Sequence, residues 1–161
     1  MNFKRSALAA GAALVALALW LAWLWQPERQ VRLHTAHLLG SVERRNWTRV
    51  ESLLAEHYSD RWGHDKAFVL AGLRQVLGSF VFLRIEQEST ALAIQSGSGV
   101  ATTRVKIIGQ GGPVGEYVMA KVNGLPEPFV FTWQKRSGKP WDWVLLAVDH
   151  PSLDLDSEPA L

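Results

Sequence analysis

The sequence predicts an α+β protein: a single transmembrane helix at the N-terminus, then about three helices packed on a curved antiparallel sheet. Three observations carry that expectation. Residues Ala7 to Trp25 run for nineteen positions without a charge. From Val31 to Phe80 apolar residues recur at spacings of three and four, the period of helices with one buried face. Beyond Gly78 the period drops to two and glycine-rich turns follow at short intervals, as in a chain of hairpins. The resulting division is a tail at 1–6, a membrane helix at 7–25, a linker at 26–30, a folded domain at 31–150 and a flexible acidic tail at 151–161.

The apolar run comes first. At 1.5 Å per residue it reaches roughly 28 Å, about the hydrocarbon thickness of a bilayer. Lys4 and Arg5 flank one end, and Trp20, Trp23 and Trp25 gather at the other, where indoles favour the headgroup region. The run is longer than a leader's apolar core, and tryptophans with Gln26-Pro27 stand where a small-residue cleavage site would be, so it reads as an uncleaved signal anchor. Arg29, Arg32, Arg44 and Arg45 on the far side dilute the charge asymmetry. A tail too short to fold precedes the run, which leaves the C-terminal part as the exported, periplasmic or extracellular, domain.

Three helices follow. Val31, Leu38, Leu39 and Val42 place the first over about Glu28 to Arg45. Asn46 is a cap for a short second helix with Trp47, Val50, Leu53, Leu54 and His57 on one side. The polar segment Tyr58 to Asp65 closes it, and Asp65 caps a third helix with the stripe Val69, Leu73, Val76, Leu77 and Phe80.

The strands are expected at Val81 to Glu88, Ala91 to Gln95, Val100 to Ile108, Glu116 to Val122, Phe129 to Arg136 and Trp141 to His150. Between them stand Gly97-Ser98-Gly99 directly before Val100, the run Gly109 to Gly115, the segment from Asn123-Gly124 to Pro128, and Ser137-Gly138-Lys139-Pro140. Phe129, Phe131 and Trp133 alternate onto one face. Val144 to Val148 is apolar on both faces, which predicts a central or doubly covered strand.

Composition excludes several function classes. Lys4, Arg5, Arg29 and Glu28 all lie in residues 1–30, which leaves 14 bases and 14 acids in residues 31–161. A neutral domain lacks the clustered basic surface that nucleic acid requires. With no cysteine in 161 residues there is no disulfide, thiolate metal site or thiol nucleophile. His34 and His37 share a helical face, but no acidic third ligand stands at a metal-site spacing, and no cofactor motif is present. Gly109, Gly111 and Gly112 lead to Val114 where a dinucleotide fingerprint has its last glycine, so a hairpin turn is expected there. Ser98, Asp149 and His150 form no hydrolase triad, since no nucleophile elbow surrounds Ser98 and adjacent strand residues point to opposite faces. Asn46-Trp47-Thr48 matches a glycosylation acceptor, yet a helix cap accounts for it.

The helix-one residues leading into ArgArgAsnTrpThrArgValGluSerLeuLeuAlaGluHisTyrSerAsp, with the late segments PheValPheThrTrpGlnLys and LysProTrpAspTrpValLeuLeu, resemble the nuclear transport factor 2-like superfamily. That superfamily includes ketosteroid isomerases, scytalone dehydratases and polyketide cyclases. The resemblance covers residues 31 to about 150 and implies a cone of helices closing the concave side of a curled sheet. Its isomerase constellation does not transfer, because helix one carries His34 and His37 and no tyrosine. An arginine-between-acids arrangement would need Glu86 or Glu116 beside Arg104, and alternation makes both acids solvated strand positions.

The resemblance places Tyr58, Trp62, Arg104 and Asp149 around one cavity. The assignment depends on strand parity: a shift of one residue exchanges Asp149 for His150 and turns Arg104 outward. Trp62 reads either as a pocket lip or partner anchor, or as a core plug. The expected function is a membrane-anchored, non-catalytic binding or scaffold domain of the cell envelope, held to the membrane through residues 7–25 and meeting an envelope protein or a small apolar ligand. The alternative is a small-molecule-binding protein, or an enzyme of the isomerase or dehydratase type, that uses the cavity.

Overall fold

The computed structural model describes the backbone of residues 2–153, and the side chains of all of these except residues 2–10 and 89. In chain order the elements are α1 (Asn2–Leu24), α2 (Pro27–Glu43), α3 (Trp47–Leu53), α4 (Lys66–Gly78), β1 (Phe80–Gln95), β2 (Ser98–Gly111), α5 (Pro113–Asn123), β3 (Phe129–Lys135) and β4 (Trp143–Asp149). The four strands form one antiparallel sheet in the order β1-β2-β3-β4. The helix-then-sheet architecture is the α+β class that the sequence pattern indicates.

Among the described residues no helix is long and apolar enough to cross a membrane. The anchor expected at 7–25 is therefore not shown, and its residues 7–10 lie outside the described side chains. Residues 27–30, expected as linker, are the first turn of α2, started by Pro27 with Glu28 at the positive helix end. That turn is tied to α1: Gln30 Nε2 donates to the Leu24 carbonyl at 2.7 Å, and the Arg29 guanidinium lies 3.4 Å from the Trp23 ring centroid. Of the acidic tail, residues 154–161 lie outside the described residues.

Helix α2 buries Val31, Thr35, Leu38 and Val42, one face at spacings of four, three and four. It ends where Arg45 takes a left-handed conformation at φ 55 and donates its guanidinium to the Phe80 carbonyl. The two caps form as read: Asn46 Oδ1 accepts the Arg49 N–H at 3.1 Å, and Asp65 Oδ1 accepts the Phe68 N–H at 2.8 Å.

The sheet departs from expectation in three places. The two first expected strands are one: β1 runs unbroken through a register shift between Glu88 and Thr90. Glu116 to Val122 is helix, not strand. Pro113 opens α5, Glu116 lies in its first turn and Lys121 in its last, all favourable to a helix. Its apolar run Tyr117 to Ala120 is unbroken, so alternation there carries no information about period. The third departure is a bulge in β4. Thr132 pairs with Ala147 and Trp133 with Leu145, which leaves Leu146 extra. Trp143 and Leu145 face the core before the bulge, and Val148 lines the cavity after it, so inward parity passes from odd to even residues.

Of the two expectations for the last strand, a central place does not hold, since β4 lies at the sheet edge. Cover on both faces does hold at Val144 and Leu145, both buried. There Ala55 and Ser59 donate their N–H groups to the carbonyls of Leu145 and Leu146 at 2.9 and 3.1 Å. Between sheet and helices the core is pinned at Trp133, wholly buried, whose Nε1 donates to Thr35 Oγ1 at 3.0 Å. Thr35 donates onward to the Val31 carbonyl at 2.9 Å.

Candidate ligand cavity

The helices and the concave face of the sheet do not close completely on each other. They leave a cavity of about 410 Å³. Leu38, Leu39 and Val42 of α2 form one wall, with Val50, Leu54 and Tyr58 from α3 and the segment after it. The sheet contributes Ile85, Val105, Ile107, Phe131 and Val148 among others. The remaining side is made by α4, through Val69, Gly72, Leu73 and Val76, and by Val118 and Val122 of α5. Every side chain in this wall is aliphatic or aromatic, and Tyr58 alone carries a polar atom.

Tyr58 is 4% exposed, and its hydroxyl accepts the Val148 N–H at 3.3 Å. Among the described residues nothing accepts its proton. Burial pushes the phenol up to about 12. The Val148 amide works against that shift, while the negative charges of Asp60 and Asp149 add to it. Tyr58 is therefore a neutral donor throughout the physiological range.

The other three expected lining residues do not reach the cavity. Arg104 follows Thr103 and precedes Val105 on β2, so strict alternation sends it to the outer face, where it is exposed and donates to the Pro126 carbonyl at 2.6 Å. Asp149 is displaced by the β4 bulge, and its Oδ1 accepts the Arg61 N–H at 3.1 Å. His150 takes the inward place and is wholly buried. Its Nδ1 accepts the Ser152 N–H at 3.1 Å, so Nε2 carries the proton and donates to the Glu127 carbonyl at 2.8 Å. Trp62 sits half-buried in the loop between Tyr58 and α4, stacked at 6.3 Å on His64, which stacks at 4.2 Å on Phe68. Asp60 holds that loop by accepting the Trp62 and His64 N–H groups at 3.0 and 2.9 Å.

His34 and His37 do not assemble a site. His34 packs edge-on against Trp133 and bonds through Nδ1 to the Gln30 carbonyl at 2.8 Å. Burial lowers its pKa, the Gln30 bond opposes that, and His37 and Arg49 add to the lowering. Among the described residues no three metal-ligating side chains converge.

The α5 wall was invisible to a reading that made it a strand. Gly72 was hidden inside a stripe read only as core. The signals that would have found α5 are Pro113 followed by Val114, Val118 and Val122 at spacings of four.

No family model and no curated relative matches the chain. Solved structures do. The chain is similar to an NTF2-like protein from Cytophaga hutchinsonii, at 17% identity and a TM-score of 0.53 over 75% of this chain and 94% of that one. It is similar to a proposed dehydratase of the NTF2-like family from Streptomyces avermitilis, at 14% identity and a TM-score of 0.54 over 75% and 91%. It also matches Bd1075 of Bdellovibrio bacteriovorus at 6% identity and a TM-score of 0.57, over 75% of this chain and only 38% of that longer one. These likenesses show the fold alone: helices and an antiparallel sheet arranged as in NTF2-like proteins, with the cavity between helices and sheet.

Proposed function

We propose that this chain binds a small apolar molecule in the cone, oriented by a hydrogen bond from Tyr58 to a single oxygen acceptor. One observation carries the reading: a cavity of about 410 Å³ walled by carbon, with one buried hydroxyl whose proton no described group accepts. At the packing density of protein interiors such a space holds about 15–20 non-hydrogen atoms. Proton-transfer chemistry needs a base beside the donor, and among the described residues no carboxylate or imidazole lines this wall, which favours binding over turnover. The dehydratase-like neighbour supports a ligand-using cone by analogy of fold only.

The test compares two planar tricyclic probes, 9-fluorenone and fluorene, which differ in one carbonyl. Equilibrium dialysis of the full chain in detergent, against protein-free micelles, measures both. The wild type should prefer 9-fluorenone, and Tyr58→Phe should lose about 5- to 100-fold for it while leaving fluorene unchanged. Equal affinity for the two probes in the wild type would refute the orienting bond.

The same proposal places the domain at a membrane, by way of α1. It is supported by the uncharged run Ala7 to Trp25, and by Leu14, Val15, Leu17 and Leu19, each at least half exposed along α1. The protein should stay with membranes through carbonate extraction; release by carbonate would remove the anchor. An envelope-scaffold reading is favoured by one feature, the exposed Phe82 and Ile108 at the outer face of β1 and β2. It requires Phe82→Ser, and not Tyr58→Phe, to abolish partner capture.

A further inference from the structure

We propose that Gly72 sets the size of ligand that the cone admits, standing on the α4 side of an entrance between α4 and α5. The inference rests on the cavity being a ligand site. It starts from a glycine where a helix has no use for one. Gly72 lies in the interior of α4, where glycine is the poorest helix former after proline. Its backbone does not require glycine, because its φ is not in the left-handed region. Nor does packing: a Cβ built on Gly72 meets nothing within 4 Å, whereas one on Gly99 comes within 2.5 Å of Val31 Cγ2 and one on Gly109 within 2.5 Å of the Phe82 carbonyl oxygen. Those two glycines make room for the protein itself. Beside Gly72 the described residues leave open space within 4 Å.

The open space belongs to the cavity, for Gly72 is part of its wall, with Val69 and Val76 one turn to either side. These residues, and Val118 and Val122 on α5, are only half-buried. Val42, Val50, Leu54 and Tyr58 on the α2 and α3 side are buried at 6% exposure or less. Leu39 on α2 and Ile85, Val105, Phe129 and Val148 of the sheet are half-buried as well, and the entrance is assigned to the α4 and α5 side because the glycine stands there. The wall here is edged by valines and one glycine, and a side chain at position 72 would take up space that a bound flat apolar molecule fills. The buried Tyr58 hydroxyl, with its proton unclaimed, supplies the polar contact inside the same cavity.

The experiment uses the full chain in detergent, with Gly72→Ala and Gly72→Val, and two ketone probes of different width, 1-indanone and 9-fluorenone, in the dialysis measurement above. Gly72→Val should weaken 9-fluorenone at least about 10-fold and 1-indanone by less than about 3-fold, since only the wider probe needs the space above Gly72. Gly72→Ala should meanwhile raise the thermal midpoint by about 3–5 °C, as expected when a helix glycine with free space is replaced. That rise shows that glycine is not kept for stability. Unchanged affinity of both probes in Gly72→Val, or an equal loss of both, would overturn size selection by Gly72 while leaving the ligand site intact. Failure of the wild type to bind either probe would remove the site and this inference with it.

Discussion

Asn123, the last residue of α5, closes the open edge of β2 by exchanging two hydrogen bonds with the backbone of Ile107. Its Oδ1 accepts the Ile107 N–H at 2.8 Å and its Nδ2 donates to the Ile107 carbonyl at 2.7 Å. β3 pairs with β2 only as far as Thr103, so beyond that point the side-chain amide of Asn123 takes the place of a strand. The same contact holds the α5 wall of the cavity against the sheet. Asn123→Ala should destabilise the domain by about 1–2 kcal/mol. It should also speed hydrogen exchange at the Ile107 amide. Asn123→Asp should retain the N–H bond, set a carboxylate against the carbonyl and exchange at an intermediate rate. An Ile107 amide equally protected in the alanine variant would show that the edge is closed by something else.

Thr35→Val should cost about 1–3 kcal/mol in urea unfolding. It keeps the side-chain volume while leaving the Trp133 indole N–H buried without its acceptor. Combining it with Trp133→Phe, which removes the orphaned donor, should cost less than the two single changes added together. Strict additivity would mean that the two side chains are not coupled.

Alkaline stability should depend on Tyr58. Its pKa is raised from 10.0 in the unfolded chain to about 12, so between those values the folded state holds a proton that the unfolded state has lost. Stability is therefore unaffected below pH 10 and falls as pH rises from 10 to 12, by about 2–3 kcal/mol in all. Tyr58→Phe should flatten that window in denaturant titrations at a series of pH values. A slope of the same size in the variant would assign the loss to other groups.

Arg104→Ala and Asp149→Asn should leave 9-fluorenone affinity within about 2-fold of wild type. Neither side chain reaches the cavity, and the asparagine carbonyl can still accept the Arg61 N–H. A loss of 10-fold or more from either would mean that the ligand extends beyond the apolar wall.

Much of the fold was legible. Caps at Asn46 and Asp65, the stripe of α4 from Val69 to Leu77 and the alternation of Phe129, Phe131 and Trp133 are local signals that form as read. Phe80, expected at the end of that stripe, is instead the first residue of β1, and Leu70, outside it, is buried. Of the four residues expected around the cavity, Tyr58 alone lines it among the described residues. Asp149 shares the parity of the core-facing Trp143 and Leu145, which Leu146 reverses by bulging, and nothing in the run Val144 to Val148 marks which residue bulges because all five are apolar. Arg104 would have been excluded by the alternation of Ala101, Thr103, Val105 and Ile107 had that face been known to be the inner one.

The sequence by itself determined the α+β class, the three helices after Pro27, the neutral charge of the domain and the absence of thiol chemistry. These follow from composition and from periods of two and 3.6, which a chain carries whatever it packs against. The tertiary structure decided the place of α5, the β4 register and the hollow between them. The run Tyr117 to Ala120 carries no period of its own; Pro113 and the spacing of Val114, Val118 and Val122 favour a helix, and packing against β2 fixes it as a wall of the hollow. A cavity is the volume that side chains from eight separated segments fail to fill, and no local window of sequence contains that quantity.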